Sequence, residues 1–288
     1  MGGPRGIRFV SFSKPLHLAE ASSSFVASFA QLPDRDLRKD GICIAEGRTV
    51  VDRLIESGVE ILGIIGTPEN ADQYATQSGG AYPVYTGTRR EIGTLLGFKF
   101  HRGLLAAARR PKFPLICSGP GWGLGLTAVQ EESNVGTLIR SARAFGTQFI
   151  ALGPLSGDPF SRKAIRSSVG LVFGAPLVQF ESDEEFIRWV EIEKRLLVAA
   201  DGSAGAHDLE DFVADLEPGG KFAGRSGVIV VGHEFGGHST IIEKRADLRI
   251  RVPMADGIDS LNVAAAGAII LYTLSVVDGR KTGRVSPS

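Results

Sequence analysis

Short apolar runs punctuated by glycine alternate along this chain with stretches whose apolar residues fall at helical spacing. That alternation restricts it to folds in which strands are covered by helices. Ile42-Cys43-Ile44-Ala45 reads as a strand. Thr49 to Glu56 reads as a helix through Val50, Leu54 and, less strictly, Val51 and Ile55, and it is stopped by Gly58. Glu60 to Gly66, Tyr82 to Tyr85 and Leu104 to Ala108 read as further strands, making a small α/β unit that ends near Arg109. Beyond it Thr147 to Gly153, Arg195 to Ala200 and Gly227 to Gly232 are strands and Phe160 to Ser168 a basic helix. Ser182 with Glu185 forms a capping box that opens a helix carrying Phe186, Ile187 and Val190. Strands written as continuous apolar runs belong to a mainly parallel sheet with helices on both faces, so the expected fold class is α/β.

The length of 288 residues suits two domains, each large enough to bury its own core. Pro111, Pro114, Gly119, Pro120, Gly121, Gly123 and Gly125 crowd into a short interval, which sets the expected linker at 111–125 between a domain over 1–110 and another over 126–288. These glycines resemble a dinucleotide loop only weakly. No clear helix opens directly after them and no acid stands about 20 positions on at a strand end, which disfavours a nicotinamide-dependent oxidoreductase. Lys plus Arg and Asp plus Glu both total 32, so nucleic acid would have to be held by local patches rather than by net charge. The candidates are Arg89-Arg90, Arg102, Arg109-Arg110-Pro111-Lys112 and Arg162-Lys163 with Arg166, each of which taken singly is an ordinary solvated surface. Cys43 and Cys117 belong to no metal-ligand pattern, so no metal is expected, and a reducing cytoplasm fits them. The first residues lack a signal-peptide pattern, and the apolar Leu261 to Val277 segment is shorter than the roughly 20 residues of a membrane span. It reads as a C-terminal helix packed on the sheet or on a partner subunit, in a cytoplasmic protein.

Three segments carry the chemistry. In Asn134 to Gly146, Val135, Leu138, Ile139, Ala142 and Phe145 form one apolar stripe, from which Arg140 points away, while Asn134 falls at the expected N-cap. Alone, these are a surface arginine and a cap. Val231 to Ser239 is a strand running into a glycine-rich turn with Glu234 inside it, and alone it is a tight turn. In Val252 to Tyr272 a proline ends an extended segment, and Ser260 or Asn262 begins the long apolar helix.

In this order the three segments resemble the motifs of the SpoU/TrmH group of RNA methyltransferases. Asn134, Gly136 and Arg140 match the first; Gly232, Glu234 and Gly237 the second; Pro253, Met254, Gly257, Ser260, Leu261, Asn262 and Val263 the third. The stretch DPFSRKAIRSSVGLVFGAPLV is similar to the connecting helix and strand of that group, so the likeness spans about Ala128 to Leu274. IAEGRTVVDRLIESGVEI, with Phe100-His101-Arg102-Gly103, is similar to the substrate-binding domain, related to certain ribosomal proteins, that often precedes the catalytic one. The chain departs from the pattern with Glu131-Glu132-Ser133 where Asp-Pro-Gly is usual, and with His233, Phe235 and His238 where smaller or aliphatic residues are common.

The resemblance implies a trefoil-knotted C-terminal domain that dimerises and transfers a methyl group from S-adenosylmethionine to a ribose 2′-hydroxyl of structured RNA, with ribosomal RNA expected before transfer RNA. Gly232, Val252, Met254 and Leu261 would hold the cofactor. Arg140 would stand at the reacting oxygen, Asn134, Ser260 and Asn262 would orient the nucleotide or the loops, and Glu234 would hold the second motif's turn or reach across the dimer. The alternative is a non-catalytic RNA-binding protein sharing the fold, which would not bind the cofactor.

Overall fold

The computed structural model describes residues 14–22, 25–26, 29, 34–97, 100–113, 119–203, 205–232, 237–258 and 260–277. It divides into two compact units, Met1–Pro111 with Phe160–Arg166 and Lys112–Pro159 with Ser167–Ser288.

In the first unit, β1 (Leu16–His17), β2 (Ile42–Glu46), β3 (Ile61–Gly66), β4 (Val84–Thr86) and β5 (Leu104–Arg109) form a mixed sheet ordered β1-β4-β3-β5-β2. β5 runs antiparallel to both β2 and β3, and β4 lies parallel to β3 and β1. The helices of this unit include α1 (Asp34–Lys39), α2 (Arg48–Glu56), α3 (Pro68–Ser78) and α4 (Arg89–Leu96). α2 turns Val50, Val51 and Leu54 inward, and α4 opens on a capping box in which Thr88 and Glu91 satisfy each other's amides. Leu37, Ile44, Ile65, Tyr85, Ile92, Leu96 and Leu105 belong to one buried cluster.

The second unit is built on a parallel sheet ordered β10-β12-β9-β11-β6-β7-β8. Its strands are β6 (Trp122–Leu126), β7 (Ile150–Leu152), β8 (Leu177–Gln179), β9 (Leu196–Ala200), β10 (His207–Asp208), β11 (Gly227–Val231) and β12 (Leu248–Arg251). The chain winds outward from β6 to β8, crosses to β9, and returns to insert β11 between β9 and β6. Along β11, Val228 and Val230 face one core with Phe149, Phe186, Trp189 and Ile242, while Ile229 faces the other with Phe212, Ile270 and Leu274. The first face is thereby covered by α7 (Asp183–Ile192) and α9 (Thr240–Arg245), the second by α8 (Leu209–Leu216) and α10 (Val263–Val277). α10 also packs on α5 (Glu132–Ala144), and α6 spans Arg162–Ser167.

The expected boundaries need correction at two places. Trp122–Leu126 is a strand at the heart of the sheet, so the interval 111–125 is not wholly linker. Gly123 lies under the Phe149 ring so closely that a Cβ would stand 2.0 Å from its Cζ, which is why this strand has the glycine content of a loop. Strand glycines weaken β6 by roughly 0.5–1 kcal/mol each. Burying Trp122, Leu124 and Leu126 contributes roughly 1.5–3 kcal/mol apiece, so the strand forms. Phe160–Arg166 groups with the first unit, so 126–288 is not an uninterrupted unit either. The box at Ser182 is also only half made. Its hydroxyl accepts from the Glu185 amide at 3.1 Å, but the Glu185 carboxylate takes the amide of Glu181 at 2.8 Å. Among the described residues no helix is long and apolar enough to cross a membrane.

Candidate active site

β9, β11 and β12 end side by side, and their last residues, Ala200, Val231 and Arg251, open onto a cavity of about 260 Å³. A crevice outside the carboxyl ends of parallel strands is where open α/β sheets bind their ligands. The wall continues through Gly232, Gly237 and His238 after β11, through Val252, Met254, Ser260 and Leu261 on the way to α10, and through Val263 and Ala266 on its first turns. All four residues expected to hold a cofactor, Gly232, Val252, Met254 and Leu261, thus share one cavity with Ser260. Gly237 and His238 lie so close to Gly232 that a Cβ on it would stand 2.6 Å from the Gly237 carbonyl oxygen and 2.9 Å from His238 Nδ1. Only glycine fits there.

Asn134 and Asn262 are 128 positions apart yet joined by a hydrogen bond of 3.1 Å. Asn262 caps α10, its Oδ1 accepting the amides of Ala264 at 2.9 Å and Ala265 at 3.2 Å. Capping fixes which way the amide points, so Nδ2 is the atom that donates to Asn134 Oδ1. Asn134 itself is not the N-cap of α5. Glu131 is, its carboxylate accepting the Ser133 amide, which leaves Asn134 inside the first turn with its side chain turned to Asn262. Arg140 is exposed on α5, off the buried stripe of Val135, Leu138, Ile139 and Ala142, and does not line the cavity. Glu234 lies outside the described residues, as do His233 and Phe235.

By sequence His238 is a departure from the resembled pattern, with no third ligand at a spacing that would make a metal site. In the fold it is buried in the cavity wall, its Nε2 lies 2.7 Å from the Ala200 carbonyl oxygen, and its Nδ1 has no hydrogen-bond partner among the described residues. Burial pushes the imidazole below its usual pKa. The Ala200 carbonyl and the carboxylates of Asp201, Glu243 and Asp183 pull the other way without overcoming it. Burial would raise the Asp201 carboxyl, but the Ser203 amide and hydroxyl, with Arg249, hold it below its usual value. Arg251 is bound to Asp208 at 2.6 Å. No group of three or more metal-binding side chains occurs among the described residues. Of the basic patches, Arg89 donates to the His101 carbonyl, Arg102 lies 4.0 Å from Glu46 and Arg109 lies 3.8 Å from Glu60.

A parallel sheet with helices on both faces, whose strand ends share a glycine-edged cavity with two distant asparagines bonded to each other, has the form of a ligand-binding domain of the α/β class. The family model described as "SpoU rRNA Methylase family" matches residues 123–272, just over half the chain, and the protein belongs to that family. It is 28% identical over 253 residues to an uncharacterized tRNA/rRNA methyltransferase of Mycobacterium bovis, covering 85% of this chain and 86% of that one. It is 30% identical over 153 residues to the 23S rRNA (guanosine(2553)-2′-O)-methyltransferase RlmP of Bacillus subtilis, covering 52% and 56% respectively. Among solved structures, the SpoU methyltransferase AviRb of Streptomyces viridochromogenes in complex with AdoMet superposes with a TM-score of 0.74. The sequence identity there is 23%, over 91% of this chain and all of that one.

Proposed function

We propose that this protein transfers a methyl group from S-adenosylmethionine to a ribose 2′-hydroxyl of structured RNA, ribosomal RNA before transfer RNA. The observation that carries this reading is the convergence of Gly232, Val252, Met254, Ser260 and Leu261, from two separate motifs, on one cavity, with Asn262 bonded to Asn134 of the remaining motif beside it. The cavity, about 260 Å³, is close to the lower end of the range for small-molecule sites, roughly 300–1,000 Å³, and Gly232 is one of the residues that line it. When bound, S-adenosylmethionine supplies an electrophilic methyl group on a good leaving group, so the protein's task is mainly to position the 2′-oxygen and assist loss of its proton.

Gly232, Val252, Met254 and Leu261 would hold the cofactor. Arg140, exposed and outside the cavity, would meet the RNA and hold its phosphate or stabilise the developing alkoxide. A guanidinium with a pKa above about 12 is a poor base, so the proton goes elsewhere. The bond between Asn134 and Asn262 would fix the loop that carries Ser260. Glu234 is assigned to the second motif's turn. RNA selection would belong to the first unit, where Arg89 and Arg90 line an open groove with Phe100 and His101. The second unit would carry the trefoil knot and pair with another copy through α10, which leaves Ile269, Tyr272 and Val276 exposed.

The test has two arms. Calorimetry with S-adenosylmethionine should show saturable binding, and RNA from a strain lacking the protein should lose a 2′-O-methyl mark that the gene restores. Binding of RNA without any heat from the cofactor at millimolar concentration would identify a non-catalytic binding protein instead.

A further inference from the structure

The imidazole of His238 is the buried titratable group of the cavity that the proposed chemistry leaves unused. Its Nε2 lies 2.7 Å from the Ala200 oxygen. A carbonyl only accepts, so Nε2 carries the proton and the ring is the Nε2–H tautomer. That bond ties His238 to the end of β9. The Gly237 carbonyl lies against the Cβ position of Gly232, so one side chain holds Gly237 and His238 at the cavity wall.

Nδ1 is then a buried lone pair with no hydrogen-bond partner among the described residues. Protonating it would place a second N–H with no acceptor, and a charge, inside that wall. An unsatisfied buried donor costs about 1–3 kcal/mol, and a charged one more. The groups that act on the ring are Asp201 after β9, Glu243 on α9 and Asp183 at the start of α7, and Arg251 also lines the cavity. The three carboxylates favour the cation, but Asp201 is already engaged by Ser203 and Arg249, and Asp183 accepts the Ser239 hydroxyl. Burial prevails over them.

We propose that His238 is a positioning residue of this site: its bond to the Ala200 carbonyl holds Gly237 and His238 beside Gly232 in the arrangement that S-adenosylmethionine requires, and the cofactor binds tightly only while the imidazole is neutral. This rests on the cofactor reading given above. The sign follows from linkage. A histidine whose folded pKa lies below its usual 6.5 is neutral in the folded site at neutral pH, and its contribution is lost as pH falls through that range.

The experiment is calorimetry of S-adenosylmethionine with the full chain, comparing wild type, His238→Gln and His238→Leu at about pH 7.5 and about pH 5. A glutamine amide donates to the Ala200 carbonyl and cannot titrate, so it separates the bond from the charge. Wild-type affinity should be lower at the lower pH, the loss approaching about tenfold per pH unit below the ring's own pKa. His238→Gln should match wild type within about twofold at the higher pH and show no such fall, while His238→Leu should bind about tenfold more weakly at both. A wild-type profile parallel to that of His238→Gln, or full affinity in His238→Leu, would overturn the proposal. If wild type bound no cofactor at the higher pH, the cofactor reading itself would fail. The clamp is tested separately by imidazole nitrogen resonances in the free protein, which should show the Nε2–H tautomer and a pKa below that of a free histidine. The opposite tautomer, or an ordinary pKa, would sink it.

Discussion

The two ends of the parallel sheet are built on opposite principles. At the amino end Arg195, just before β9, is almost wholly enclosed: its side chain is 2% exposed, and its guanidinium lies 4.8 Å from the Phe149 ring centre and 5.4 Å from that of Trp189. It donates to the Gly121 carbonyl at 3.0 Å and to that of Gly119, fastening the chain that enters β6. At the carboxyl end the polar groups line open space: His238, which has no partner for Nδ1 among the described residues, and Gly232 both face a cavity. Burying a cation between rings and carbonyls closes one end, since removing it would strand its acceptors. The other end keeps a cavity at its strand termini. A buried arginine is thus a structural fastening here, and an exposed one, Arg140, is the functional candidate.

The contrast breaks most sharply on the arginines themselves. Arg140→Ala should lower methyl transfer by about 10²–10³-fold, the usual loss when one charge-stabilising donor is removed. Stability should change by no more than about 0.5 kcal/mol, because the side chain is exposed. Initial rates of methyl incorporation and a thermal scan on the same samples check both halves. Near-normal turnover would remove Arg140 from the active site.

Arg195→Met should do the reverse. Two carbonyls lose their donor and two rings their cation, together about 3 kcal/mol, which lowers the thermal midpoint of a unit this size by roughly 6–12 °C. Cofactor affinity measured well below that midpoint should stay within about twofold of wild type, because Arg195 precedes β9, whose other end meets the cavity, and is not one of the residues that line it. A large loss of affinity in a folded sample would mean that the two ends are coupled.

The sequence revealed the open end better than the closed one. Apolar runs such as Gly227 to Gly232 mark their strands because burial on both faces leaves no room for polar residues, and β11 is buried throughout. The order of the motifs led to residues that do meet around one cavity, although neither Arg140 nor Asn134 lines it. What escaped depends on partners distant in the chain. Gly123 and Gly125 look like loop residues until the rings of Phe149 and Phe186 are seen filling the space above them. Arg195 reads as the first residue of a strand, and nothing local announces that rings at 149 and 189 will enclose it. His238 stood out by residue type alone, while its unpartnered nitrogen follows from a bond to a residue 38 positions away. Asn134 was placed at a helix start by residue preference, but Glu131 competes for that role through its own carboxylate.

The smallest expected effect sharpens the comparison within the open end. Asn262 makes two kinds of bond, capping α10 through Oδ1 and reaching Asn134 through Nδ2, and Asn134 shares only the second of these. Asn262→Ala should therefore lower stability by about 1.5 kcal/mol, about 1 for the N-cap and about 0.5 for the shared bond, and Asn134→Ala by about 0.5 kcal/mol through that bond. Urea denaturation of the two single variants and the double variant gives the coupling between them, expected near 0.5 kcal/mol. Methyl transfer should respond on a different scale, falling at least about tenfold in both, because the shared bond positions the segment carrying Ser260 and Leu261 rather than supporting the core. A stability loss in Asn134→Ala of about 2 kcal/mol or more, with activity reduced only in proportion to the folded fraction, would move this pair from the open end's logic to that of Arg195.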